Sequence, residues 1–129
     1  MVGFAIRHSR MLAAIEGKVQ GIVNVKMADD ALSLLILSIF CGMLMFTAVD
    51  AFRNEKLPSV CRPVMVFLCV MVFILSGFEH SIADIFYFAA SGMVSGEAFL
   101  YLIMIIIGNS IGGLIIPLLQ MVKPAPPQE

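Results

Sequence analysis

The stretch Ser76–Asp84 reads SGFEHSIAD and places a glutamate, a histidine and an aspartate within six positions. Apolar sequence flanks it on both sides, VMVFIL before and IFYFAA after. What surrounds it decides how it is to be read.

The chain has 129 residues, of which 60% are hydrophobic and 13% charged, with a mean hydropathy of +1.01. Soluble domains hold about half apolar residues, so this composition belongs with membrane proteins. The net charge of −1 argues against a nucleic-acid partner. Cys41, Cys61 and Cys69 are odd in number and two lie inside apolar runs, which fits neither a disulfide framework nor a metal motif. They read as small apolar residues. No nucleophile–base pair, phosphate loop or metal-spaced cluster appears, so neither an enzymatic role nor a cofactor is expected. Arg7, His8 and Arg10 precede MLAAI, an apolar run too short for a secretory signal core.

Ala31–Val49 runs 19 residues without a charge and Ala98–Val122 runs 25. Each is long enough to cross a hydrocarbon core of about 30 Å as a helix. Between them, the only titrating residues of Pro63–Gly92 are Glu79, His80 and Asp84, apart from Tyr87 and the Cys69 thiol. Its length as continuous helix would be about 45 Å, more than a bilayer needs. The excess leaves room for a non-helical break, and Ser76-Gly77 is the place for it. Three crossings follow, the middle one interrupted. Residues 1–30 are mixed, with Val19, Ile22, Val23 and Val25 among Lys, Gln and Asn. They fit an interfacial amphipathic helix or a surface loop and not a fourth span. The division is then a polar N-terminal segment (1–30), a three-helix membrane domain (31–122) and a Pro-rich tail (123–129).

Orientation follows from basic residues close to the spans. Arg53, Lys56, Arg62 and Lys123 put four on the side of the 50–62 loop and the C-terminus, against Lys18 and Lys26 on the other. Adding the distant Arg7 and Arg10 makes a four-to-four tie. The count near the spans places the C-terminus in the cytoplasm.

The midpoint of Pro63–Gly92 falls at Gly77/Phe78, just before Glu79 and His80, and that of Ala98–Val122 at Ser110, next to Asn109. Two spans thus put their polar groups at one membrane depth. Ionisable groups near a bilayer centre are costly unless they face a cavity or a partner. As packing glue they would pair with neighbouring helices, but three titrating groups beside a glycine exceed what packing requires. A half-helix starting near Ser81 or Ile82 would turn unpaired N–H groups and the positive end of its dipole inward, which attracts an anion. His80 can give such an anion a hydrogen bond or a proton, and Glu79 can orient the imidazole. A small weak-acid anion is the substrate class that suits this arrangement. In the last span, Gly108, Gly112 and Gly113 read as packing residues.

FILSGFEHSIADIFYF followed by IIIGNSIGG resembles the second half of the formate/nitrite transporter family. VKMADDALSLLILSIFCG is similar to the family's segment entering its fourth helix, a lysine fifteen residues before a cysteine, as Lys26 and Cys41 stand here. The likeness runs from about Lys26 to Leu119. It implies one inverted repeat of an aquaporin-like six-helix pore, assembled as pentamers in that family. It also implies His80 as the central pore histidine, Asn109 as its polar partner, Phe73 as a constriction aromatic and Lys26 as a vestibule lysine drawing anions from outside. The family's usual HSIAN is HSIAD here, ending in Asp84, and its ILCN is IFCG, ending in Gly42. The family's first three helices have no counterpart, and residues 1–25 are too short and polar to replace them.

The sequence therefore predicts an all-α integral membrane protein moving formate, nitrite or a similar monovalent anion, with or without a proton. Its pathway residues are His80, Asn109, Phe73, Glu79 and Lys26, with Asp84, Ser76 and Gly77 beside them. A lone three-helix repeat leaves polar groups against lipid. It should therefore form a homo-oligomer or pair with a missing first half, most naturally in a bacterial cytoplasmic membrane. Two other readings are a non-conducting fragment or accessory subunit, and a haem-binding anchor using His80 as axial ligand.

Overall fold

The computed structural model describes residues 11–93 and 95–122. Five helices follow one another: α1 (Met11–Ala28), α2 (Ala31–Arg53), α3 (Cys61–Leu75), α4 (Ser81–Ser91) and α5 (Gly96–Val122). No strand occurs among the described residues.

Local chemistry sets the ends. Asp30 opens α2, its carbonyl accepting from Leu34 N at 3.0 Å and its carboxylate from Ser33 N at 3.5 Å, the arrangement of an N-cap. Asn54 closes it, and the Asn54 side chain then accepts from Lys56 N at 3.0 Å to turn the chain. Arg62 holds that turn in shape through the carbonyls of Leu57 (3.1 Å) and Glu55 (3.0 Å). Pro63 follows in the first turn of α3, where its missing N–H breaks no helical bond.

The most extensive helix pair is α2 with α5. Gly108 faces Leu35 and Ser38, Gly112 faces Ile39, and Gly42 faces Asn109 and Gly113, so the two helices run parallel. A Cβ at Gly42 or Gly112 would collide with the backbone across the interface. These glycines let the helix axes approach, which in a membrane substitutes packing for a hydrophobic drive. Gly113 differs from its expected packing role: a Cβ there would meet only Gly42 O, at an ordinary 3.9 Å. It turns away from the contact.

α3 packs on α2, and α4 packs on α1 and α5. Of the two forms open to residues 1–30, the described part is a helix, and it is no surface loop. Val19 and Val23, four apart and so on one face, are buried with Phe88, Ala90 and Ala98. Gln20 Nε2 donates to Ser91 O (3.2 Å) while Lys26 reaches Asp84, so α1 runs antiparallel to α4. Tyr101 Oη fastens the end of α1 by donating to the carbonyls of Met27 (3.3 Å) and Asp29 (3.0 Å).

α2 and α5, with 23 and 27 residues and mean hydropathies of 2.4 and 2.3, are long and apolar enough to cross a membrane. Their outer faces expose Ile36, Phe40, Ile106, Ile107, Leu114 and Leu118. In water such a surface would associate, whereas acyl chains solvate it. α3 and α4, with 15 and 11 residues, are about 22 and 16 Å long. Neither crosses alone.

Replacing Gly112 or Gly42 by alanine should lower stability in detergent micelles by about 1–3 kcal/mol through overpacking. Gly113→Ala should stay within about 0.5 kcal/mol of the parent. Thermal unfolding measures all three, and equal losses at Gly112 and Gly113 would contradict this packing account.

Candidate functional site: a helix break clamped by Asn109

α3 stops where Gly77 enters the left-handed region (φ 64°), a conformation that costs other residues about 1–2 kcal/mol. Ser76 N still reaches Val72 O (2.9 Å), and Phe78 N folds back onto Phe73 O (3.2 Å). Three residues later α4 begins at Ser81, with His80 as its N-cap. Ser76 and Gly77 are thus the elbow of the break.

Backbone groups freed by such a break need partners. Asn109, from the middle of α5, supplies two of the bonds and adds a third to α2. Its Oδ1 accepts from Ser81 N (3.0 Å), and its Nδ2 donates to Glu79 O (2.8 Å) and to Ser38 O of α2 (2.9 Å). The opposite orientation of the amide would set donor against donor, so the network fixes it. Asn109 is therefore a clamp across α2, the break and α4, with both of its amide hydrogens committed. The common depth of Asn109 and His80 expected from the two span midpoints appears here as bonds from Asn109 to the residues on either side of His80.

His80 bends over the start of α4, where its Nδ1 accepts from Ile82 N at a long 3.4 Å. A neutral imidazole with an accepting Nδ1 carries its proton on Nε2. Two of the first N–H groups of α4 are therefore capped internally, and the free donor at this point is the imidazole edge. Phe73 meets the His80 ring edge-on, centroids 5.6 Å apart, and Phe78 stacks on Phe40 at 5.8 Å.

On the other side of the break, Lys26 joins two carboxylates. Its Nζ lies 2.5 Å from Glu79 Oε2 and 2.8 Å from Asp84 Oδ1. Glu79 is 3% exposed and Asp84 1%. Lys26–Glu79 is a true hydrogen bond. Lys26–Asp84 is close enough for an ion pair but off the hydrogen-bonding axis, and neither Asp84 oxygen accepts a well-formed bond among the described residues. Lys26 is thus balanced locally, so the pull on a distant ion is that of the cluster as a whole.

The break has a cavity on each side. One, of about 380 Å³, is lined by Lys26, Phe73, Gly77, Phe78, Asp84 and Tyr87. The other, of about 430 Å³, is lined by His80, Ser81, Asn109, Ser110, Gly42 and Gly113 among others. Gly42 thus serves two ends, admitting Asn109 to its contact and leaving space beside His80.

All five predicted pathway residues converge on this break, and Asp84 with them. Four participants escaped sequence reading: the Ser38 carbonyl, Phe78, its partner Phe40, and Tyr101. A carbonyl has no sequence signature and the aromatics are ordinary in apolar helices. Only the spacing of Tyr101, eight residues before Asn109 on α5, could have drawn notice. Arg7, His8, Arg10 and Lys123 lie outside the described residues.

A helix interrupted mid-course between two long apolar helices, with a histidine and an ion cluster at the interruption, is the plan of a membrane transport protein. A sequence profile described as Formate/nitrite transporter matches residues 1–122. The chain belongs to that family and is an integral membrane protein of transporter type. The match takes in residues 1–25 as well as the motif-bearing stretch from Lys26. Neither a curated protein nor a solved structure matches the chain.

Asn109→Ala would leave Ser81 N–H and Glu79 C=O without this partner, each at about 1–3 kcal/mol if water does not replace it. Amide hydrogen exchange should accelerate at Ser81, with exchange in the first turns of α3 unchanged. Protection of Ser81 at the parental level would remove the clamp role.

Proposed function

We propose that the chain moves small monovalent anions such as formate or nitrite across a bilayer, past His80. The observation that carries this reading is the imidazole at the break. Its Nδ1 is occupied by Ile82 N–H, its Nε2–H is left as a donor, and the ring lines the cavity beside Ser81 and Asn109. A weak-acid anion arriving there meets one donor, the positive end of α4 behind it, and a wall otherwise short of charge. Phe73 packed on the ring limits its swing and narrows the approach. Asn109 acts by holding the break open, and Lys26 by holding Glu79 beside the histidine.

In this reading α3, the break and α4 together make one interrupted crossing, giving three spans and one inverted repeat of a six-helix pore. Since α2 and α5 run parallel, the start of α2 and the 92–95 turn share one membrane side. The 54–60 turn and Val122 share the other. The basic residues Arg53, Lys56 and Arg62 put that second side in the cytoplasm, in a bacterial inner membrane. α2, α4 and α5 wall the His80 cavity, and Ser110 on its rim is exposed. A further wall must come from another copy or from a complementary half, and homo-oligomeric assembly supplies it. The same open rim supports a second reading, a subunit that conducts only when paired.

Formate uptake into proteoliposomes containing this chain should saturate and fall at least about tenfold in His80→Ala, a loss on the scale of one transition-specific hydrogen bond. Uptake equal in both would sink the role of His80. No uptake from well-inserted protein would leave the paired-subunit reading in place of the first.

A further inference from the structure

The Lys26 cluster does not balance in charge. One ammonium faces two carboxylates, Glu79 from the break and Asp84 from the first turn of α4, and both carboxylates are almost wholly buried. Fully ionised, the three groups sum to −1 in apolar surroundings, where an uncompensated charge is strongly unfavourable. Among the described residues, the charged and titratable neighbours do not cancel it. α1 offers only Lys26 itself, and the break adds His80. α2 brings the buried Cys41 thiol, and on α4 the Tyr87 hydroxyl borders the same cavity. On α5, Tyr101 donates its hydroxyl proton to main-chain carbonyls. The residue of α3 that lines the cavity beside the ring, Phe73, carries no charge. A second observation points the same way: both Asp84 oxygens are buried, and apart from the off-axis Lys26 ammonium no donor reaches them among the described residues. A buried carboxylate whose one short contact is an ammonium already bonded to a second carboxyl is short of hydrogen-bond donors. Two carboxyls that share a proton supply that donor to each other.

We infer that Glu79 and Asp84 share one proton over Lys26, and that this neutral cluster is the form that admits an anion to His80. The proton balance is simple: the ionised cluster at −1 binds one proton from the cavity and becomes neutral. Without it, the negative cluster adjoining His80 through the Glu79 backbone repels the substrate. Asp84 is thereby a specificity-determining residue, coupling anion passage to proton occupancy. The second clause rests on the transport reading above. The shared proton does not.

Infrared spectroscopy of the chain reconstituted in lipid separates the two. At neutral pH the parent should show the C=O stretch of a protonated carboxyl. That band should vanish in Asp84→Asn and also in Glu79→Gln, because each variant leaves one carboxylate balanced by Lys26. A parent without the band, or a band surviving in Asp84→Asn, overturns the shared proton. In proteoliposomes, parental formate uptake should fall as pH rises, and Asp84→Asn should move the half-maximal point upward by at least about one pH unit. Superimposable profiles overturn the coupling. Absence of uptake from both proteins would sink the transport reading, while the infrared comparison would still decide the proton.

Discussion

The three bonds of Asn109 are the constraint from which the rest follows. A helix interrupted in apolar surroundings strands N–H and C=O groups that no lipid can satisfy. Here Ser81 N–H and the Glu79 carbonyl, both at the break, meet one amide that also donates to the Ser38 carbonyl of α2. The amide is suited to it because it both donates and accepts, so a single uncharged side chain serves groups of opposite polarity. A lysine or a carboxylate at position 109 could serve only one kind.

The close approach of α2 and α5 is the condition for that clamp. Asn109 reaches Ser38 O only because Gly108, Gly112 and Gly42 carry no Cβ where the helices meet. Gly42 therefore shows how a departure from the family's usual asparagine can be accommodated. Its missing side chain is the space into which the Asn109 backbone fits. Stability and site are one design here, since the glycines that join the helices also set the distance across which the break is held. On the far side, Lys26 ties α1 to the same break through Glu79, so α1, α2 and α5 each touch residues 78–81.

Much of this was legible beforehand, and the reason is physical. Long uncharged runs have few fates, so Ala31–Val49 and Ala98–Val122 could hardly be other than membrane-length helices. The excess length of the middle region forced a break, and Gly77 marked it. Depth arithmetic put Asn109 level with the break at His80. α1 was harder, because its polar residues hide a two-valine face whose partner, Phe88, lies far along the chain. The pairing of Asp84 with Lys26 was hidden for a similar reason. A lysine 58 positions earlier gives no local signal, and its long side chain carries the charge away from its own helix. Capping of α4 by Asn109 and His80 was also unreadable, because orphan N–H groups show in a sequence only as a helix start and not as a finished account.

Pro117, inside α5, has a consequence for how wet the passage is. Proline has no N–H to return to the carbonyl four residues earlier, and that carbonyl belongs to Gly113, on the wall of the His80 cavity. The wall therefore holds a main-chain oxygen released from its helical bond, one that attracts a donor. Water is the donor at hand. On the proposed route, an anion passing this wall would meet water held at that oxygen, beside Gly42 and Phe46.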